Sequence, residues 1–196
     1  MDSMGKISSN KDWKMIDNKM YIGDVTIREA VNRIAFNMYK QSWRPDYIVG
    51  ITRGGLVPAV MLSHSLGIPM HTLDVRLRDS GGTSGPESNL WMAEDAFGYV
   101  PKEEQGTYKS RWDVARRKKI LIIDDINDTG ATFKWIKEDW QSGCLPSEQT
   151  WETVWHNNVR FASLVDNQAS EFDVDYSWKE INKAEKDVWV VFPWEH

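Results

Sequence analysis

Three acids and two threonines crowd one short stretch, Asp124-Asp125-Ile126-Asn127-Asp128-Thr129-Gly130-Ala131-Thr132. Asp128 to Thr132 offers backbone N–H groups, hydroxyls and a helix N-terminus, the ingredients of a phosphate cradle. Asp124 and Asp125 stand at its rim, where carboxylates accept hydrogen bonds from vicinal sugar hydroxyls. A phosphorylated sugar fits the whole constellation. A nucleotide-binding loop of the Gly-x-x-x-x-Gly-Lys-Ser/Thr kind does not occur in the sequence. Two rival readings stand beside this one. A buried strand with a polar turn and a capped helix accounts for the acid pair taken alone. Phosphoaspartate chemistry wants Asp-x-Asp near the chain start, which is not the spacing here.

The elements that must carry these residues are readable on either side. Ile120 to Ile123 are consecutive apolar residues, mostly β-branched, as in a strand buried on both faces of a parallel sheet. The strand ends in the two acids, a Gly-containing turn follows, and a helical pattern runs from Phe133 to Gln141 with Gly143 as its stop. In open α/β sheets ligands sit beyond the carboxyl ends of the strands, where this turn must lie. A second unit of the same kind comes earlier. Tyr47 to Ile51 reads as a strand, Thr52-Arg53-Gly54-Gly55 as a turn, and a helix starts near Leu56, tolerates Pro58 in its first turn and stops at Gly67. Its glycines let backbone approach phosphate oxygens, and Arg53 supplies charge-assisted hydrogen bonds. A tight βα turn explains that unit equally well when it is taken alone.

The run Ile122-Ile123-Asp124-Asp125-Ile126-Asn127-Asp128-Thr129-Gly130-Ala131-Thr132 resembles the phosphoribosyl pyrophosphate (PRPP) signature of type I phosphoribosyltransferases. The Arg53-Gly54 turn is similar to that family's pyrophosphate loop. The resemblance implies a cis Arg53–Gly54 peptide that aims an N–H at pyrophosphate.

Composition sets the bounds. A chain of 196 residues suits a single domain spanning 1–196 and is long enough to bury a real core. Hydrophobic content of 41% and charged content of 27% are those of a soluble protein, and no apolar run is long enough to span a membrane. Net charge of −5 argues against general nucleic-acid binding, although an anionic substrate needs only local positive potential. The single cysteine, Cys144, excludes an internal disulfide, and Met1 to Lys14 lacks the apolar segment of a secretory signal. A cytoplasmic location is expected. The four histidines show no metal-ligand spacing among themselves or with Cys144. Eleven tryptophans are unusual, with core filling as the default and the core edge or an oligomer interface open to Trp13, Trp43 and Trp91.

Along the chain, residues 1–18 read as a poorly ordered start and Met20-Tyr21-Ile22 as a short strand. Thr26-Ile27-Arg28-Glu29 reads as a capping box opening a helix that runs to about Gln41. Pro69 to Val75 reads as a strand. An irregular stretch follows to about Arg117, too long for an ordinary connection and read as a lid over residues 77–116. Arg76, Arg78, Lys109 and Arg111 are its candidate donors to a leaving group, and Arg116-Arg117-Lys118-Lys119 reads as a solvated lead-in. Pro146 to Asn158, with Trp151 and Trp155, is an insertion without a readable role. Val159 to Val165 and Phe172 to Tyr176 read as strands, and the sequence ends Val188-Trp189-Val190-Val191-Phe192-Pro193-Trp194-Glu195-His196.

That ending is similar to the C-terminal hood of xanthine/guanine- and hypoxanthine-type phosphoribosyltransferases. The resemblance covers residues 20–195 and implies an α/β fold, a parallel sheet of about five strands with flanking helices and a small hood over about 166–196. It implies transfer of the 5-phosphoribosyl group from PRPP to a purine base, with Mg²⁺ as cofactor held through Asp124 and Asp125. It further implies PRPP contacts from Asp124, Asp125, Asp128, Thr129, Gly130, Ala131, Thr132, Arg53 and Gly54. Asp128 is the implied proton acceptor, Trp189 the stacking platform for the base and the main chain near Val190 the reader of its edge. A homodimer is expected by the same analogy. One departure stands out. Purine enzymes of this kind commonly place a base-contacting Lys after Phe-Ala, and here Phe161-Ala162 is followed by Ser163. A phosphoribosyltransferase for another nucleobase and a non-catalytic PRPP-sensing regulator are the alternatives.

Overall fold

A computed structural model of the chain describes residues 12–75 and 89–195. Strands β1 (Lys14–Ile16) and β2 (Lys19–Tyr21) form a hairpin. Only Asp17 and Asn18 lie between them, and Asp17 takes φ 53°, a backbone that short Asp and Asn side chains tolerate well. The ordered start corrects the expectation of a disordered one from residue 12 onward. Helix α1 (Asp24–Lys40) ends on Gln41 as the sequence predicts, but its start is capped differently. Asp12 accepts from the N–H groups of Val25 and Thr26 at 2.9 and 2.8 Å and from the Thr26 hydroxyl. A distant acid therefore does the work assigned to a local capping box.

Strand β3 (Tyr47–Thr52), helix α2 (Leu56–Leu66) and strand β4 (Met70–Asp74) follow, with Gly67 at φ 61° closing the helix. Residues 76–88 lie outside the described residues, and with them Arg76, Arg78 and the first part of the expected lid. Residues 89–116 are not the irregular segment that the sequence suggests. They contain helix α3 (Leu90–Phe97), whose Met92, Ala93, Ala96 and Phe97 are buried, and then two short 3-10 turns, with Lys109 and Arg111 exposed on the bend between them. The α3 pattern is short and lies beside a Gly-rich run, which hides it from a periodicity search. Arg117 is no solvated lead-in either. Its guanidinium lies against the Phe97 and Trp112 rings and donates to Thr153.

Strand β5 (Ile120–Asn127), helix α4 (Ala131–Gly143), β6 (Val159–Asn167), β7 (Tyr176–Ile181) and β8 (Trp189–Val191) complete the chain. The main sheet has the order β4-β3-β5-β6-β7 and is parallel throughout, the α/β architecture expected. A second sheet, β1-β2-β8, joins the two ends of the chain. It is the small hood, and β7 belongs to the main sheet although it falls inside 166–196. Phe172 to Tyr176 is not the strand. Phe172 packs against Phe133 and Phe161, its carbonyl accepts from Asn127, and pairing begins only at Tyr176.

Two apolar cores lie on opposite faces of the sheet. One gathers α1, α2 and the hood residues Met20, Val188, Val190 and Phe192. The other gathers α3, α4 and the 146–158 insertion. Trp151 is fully buried, stacks on Trp155 at 5.0 Å and donates its indole N–H to the Cys144 carbonyl. The insertion is a core plug, and Trp140, Trp151 and Trp155 are accounted for by it. Among the described residues, no helix is long and apolar enough to cross a membrane.

Candidate active site

The site begins where β3 and β5 part. Their pairing runs from Tyr47↔Ile120 to Gly50↔Ile123 and stops there. On its other side β5 stays paired with β6 as far as Asn127↔Asp166, so the strand outlasts the two acids at which the sequence seemed to end it. The order β4-β3-β5 makes this parting the point where successive connections leave in opposite directions. Helix α2 packs on one face and α4 on the other, and the crevice between the strand ends is the expected ligand position in such a sheet.

The acid pair lines that crevice. The Gly55 N–H donates to Asp124, and the Asp125 N–H donates to Asp124 Oδ1 at 2.9 Å. A Cβ at Gly54 would collide with the Asp125 carboxylate, so glycine is what lets the β3 turn lie against β5. Trp194, from the end of the chain, donates its indole N–H to Asp125 Oδ2 at 3.2 Å. Burial, and then the charge of Asp125, push Asp124 well above the usual carboxylate range. Asp125 is raised as well, chiefly by burial, with the Trp194 hydrogen bond opposing. Two acids held this way attract a cation or a hydroxyl-bearing ligand.

The cradle follows directly. Gly130 precedes α4 with φ 83°, and a Cβ there would meet Phe172 Cβ at 2.7 Å. Gly130 has no side chain to cap α4, and the Thr129 hydroxyl accepts only from the Ala131 N–H, at 3.3 Å, which leaves the next N–H groups of the helix for a ligand. Thr129 and Ala131 are exposed and Thr132 is half-buried, so the rim of the turn is open. Asp128 is anchored twice. Asn167 donates to its carbonyl at 2.8 Å, and Lys183 Nζ lies 2.9 Å from its Oδ1. Arg53 is exposed at the head of the facing turn, and the Leu56 N–H closes that turn on the Arg53 carbonyl at 3.2 Å.

Residues 24–196 match the phosphoribosyl transferase domain. The chain belongs to that family. It is similar to xanthine phosphoribosyltransferase 1 of Saccharomyces cerevisiae, 19% identical over 91% of this chain and 90% of that one. It is 28% identical to the xanthine-guanine phosphoribosyltransferase of Nitratidesulfovibrio vulgaris, over 76% of this chain and 68% of the relative. The purine phosphoribosyltransferase structure from Pyrococcus horikoshii superposes with a TM-score of 0.58 at 25% identity, covering 91% of this chain and 95% of that one.

As a phosphoribosyltransferase the chain has its own local features. The cis peptide lies between Thr52 and Arg53, one bond before the Arg53–Gly54 position that the resemblance implies. Ser163 does not face open space. It is fully buried, is paired in register with Asp124 and Ser177, and its hydroxyl has no partner among the described residues. A lysine at 163 would put an ammonium inside the sheet. Trp189 is 63% exposed on β8, a surface tryptophan rather than core packing, whereas the Val190 side chain is buried in the first core. Both stand on the hood, away from the main sheet, and the hood meets the acid run through Trp194 and Asp125.

Sequence reading did not find Trp194, Asn167 or Lys183 as site residues. Trp194 was visible only as part of the terminal pattern. Asn167 and Lys183 sit in polar stretches with no motif, and their partners are remote in sequence.

Proposed function

We propose that this phosphoribosyltransferase moves the 5-phosphoribosyl group of PRPP onto a ring nitrogen of a purine, giving a nucleoside monophosphate and pyrophosphate. The carrying observation is the crevice between β3 and β5, where an acid pair stands between two turns that each open a helix. Asp128 to Thr132 and the N-terminus of α4 hold the 5-phosphate through N–H groups and hydroxyls. Arg53, Gly54 and the N-terminus of α2 hold the pyrophosphate. Asp124 and Asp125 accept from the ribose hydroxyls between them.

The acid pair also fits Mg²⁺. No cluster of three or more metal-ligating side chains exists among the described residues, but this cation is commonly bound by one or two carboxylates together with substrate oxygens. Adjacent carboxylates whose proton affinity is raised by burial, and then by the charge of Asp125 at Asp124 and of Glu195 at Asp125, are relieved by a dication. When bound, it would neutralise charge on the pyrophosphate.

In the transfer, the bond from C1 of the ribose to the pyrophosphate oxygen breaks and the bond from C1 to the base nitrogen forms. The sugar passes through a cationic stage that the nearby carboxylates stabilise. Asp128, half exposed beside the cradle, accepts the proton displaced from the base. The exposed Trp189 ring offers the base a stacking surface, an interaction of about 1–3 kcal/mol for nucleobases. The purine class rests on the names of the relatives and on this platform. Incubating the protein with PRPP, Mg²⁺ and hypoxanthine, guanine, xanthine, adenine, uracil or orotate tests the reading. Pyrophosphate release with one or more purines is expected. Release with the pyrimidines alone overturns the base class, and release with none overturns the reaction.

A further inference from the structure

The turn that follows β8 is built so that one indole points one way. The Phe192 N–H donates to Glu195 Oε2 at 3.1 Å, and the Glu195 N–H donates to the Phe192 carbonyl at 3.2 Å. These two bonds close residues 192–195 into a turn, with the φ of Pro193 fixed by its own ring. Phe192 is 1% exposed in the first core, and the Trp194 ring stacks on it at 5.0 Å with an interplanar angle of 8°. A buried ring therefore sets the plane of a half-buried one. In that plane the Trp194 N–H meets Asp125 Oδ2 at 3.2 Å. Gly54 lies against the same carboxylate, so closely that a Cβ would collide with it. Asp125 is held between the β3 turn and the end of the hood.

The same segment carries the exposed Trp189 ring. β8 pairs with β2 from Lys19↔Trp189 to Tyr21↔Val191, and the Ile22 N–H on the Val191 carbonyl at 3.0 Å extends that pairing to the edge of the turn. Trp189 and Trp194 are thus joined by paired strand and closed turn alone. A tryptophan N–H is only a donor, so its bond fixes Asp125 as an acceptor and restricts its rotation, leaving the remaining lone pairs for a ligand. We infer that Trp194 is a positioning residue whose indole N–H orients Asp125 toward the sugar hydroxyls and couples base binding at the hood to PRPP binding at the acid pair. This rests on the proposed purine transfer and adds to it the residue through which the two subsites communicate. A base that settles on Trp189 steadies the segment and with it the Asp125 carboxylate, so each ligand tightens the other by the same factor.

The test uses Trp194→Phe, which keeps an aromatic ring to stack on Phe192 and deletes the N–H, beside Trp194→Ala, which deletes both. Calorimetry with Mg²⁺ gives PRPP affinity alone and in the presence of the 9-deaza analogue of a purine that the parent turns over, whose carbon at position 9 blocks transfer there. Thermal melting checks the fold. In the parent the analogue should tighten PRPP by about fivefold or more. In Trp194→Phe, PRPP alone should bind about 3- to 10-fold more weakly and the tightening should shrink to about twofold or less, with the melting temperature close to the parent's. Parental affinity and tightening in Trp194→Phe, with only Trp194→Ala impaired, makes the ring a packing element and overturns the inference. Weaker PRPP binding with undiminished tightening overturns it as well, since the ligands then communicate by direct contact, and so does a parent that shows no tightening. Those outcomes leave the purine reaction standing. A parent protein that turns over no purine overturns both.

Discussion

The two halves of β5 are made of different material and do opposite things. Ile120 to Ile123 are fully buried and pair with strands on both sides. Asp124 to Asn127 keep only the β6 side, and two of their four side chains are acids whose proton affinity is raised by burial. The first half lowers the free energy of the fold, by about 1.5–3 kcal/mol for each large aliphatic side chain buried. The second half holds like charges together in a crevice and raises it. The difference teaches where the site is. A strand that gives up a neighbour and accepts repulsive carboxylates at one end is carrying residues that packing alone does not want.

The widest separation between the halves should come from chemistry. Asp128→Asn keeps the backbone bond from Asn167 but removes the proposed proton acceptor. We expect kcat to fall by about 10²- to 10⁴-fold with PRPP affinity nearly unchanged. Steady-state kinetics decide it, and an unchanged kcat would leave Asp128 as a structural anchor. Next comes the apolar half. Ile122→Ala should cost about 2–5 kcal/mol in urea unfolding, while PRPP affinity of the folded fraction stays close to that of the parent. A large loss of PRPP affinity in correctly folded Ile122→Ala would erase the division of labour.

The cradle gives a smaller effect. Thr132→Ala should weaken PRPP binding by about tenfold, with the melting temperature unchanged, because a single hydroxyl contact is lost at an otherwise open rim. Gly130→Val is a poor probe of the same turn. Its backbone is left-handed and Phe172 leaves no room for a side chain, so it would test folding instead. The smallest effect belongs to the second core. Burial pushes the Cys144 thiol up to about 11, so iodoacetamide should leave it unmodified at pH 8 in native protein and alkylate it in urea. Rapid alkylation of the native state, followed by mass spectrometry, would show that the core around the insertion opens.

What could be read from the sequence followed from how local it is. The acids, the threonines and the glycine turn lie within one strand-turn-helix unit, where spacing alone dictates the chemistry. The parallel sheet of five strands agrees with the number expected, although its last strand begins at Tyr176, where the sequence reading placed that strand's end. The ties across the site were not legible. Trp194 and Asp125 are 69 residues apart, Asn167 and Asp128 are 39 apart, and no pattern links them. Asp12 capping α1 and Lys183 pairing with Asp128 are of the same kind, side-chain contacts that exist only once the fold has formed. Helix α3 was missed for another reason, since its burial is decided by α4 and the insertion rather than by a long stripe of its own. The Trp194 bond is also the contact that joins the hood to the acid pair.

The most direct measurement pairs stability with affinity in a single variant, Asp124→Asn, in metal-free buffer at pH 7.5 for melting and with Mg²⁺ for PRPP calorimetry. An acid raised well above its ordinary range by burial and by Asp125 destabilises the empty protein when it is ionised. Removing the charge should raise the melting temperature by about 2–4 °C per kcal/mol recovered. The same change should weaken PRPP binding by about 10- to 100-fold, as a charged acceptor for the sugar is lost. Opposite movements of the two quantities are the predicted result. A melting temperature that falls while PRPP affinity holds would make Asp124 a structural acid and contradict the account.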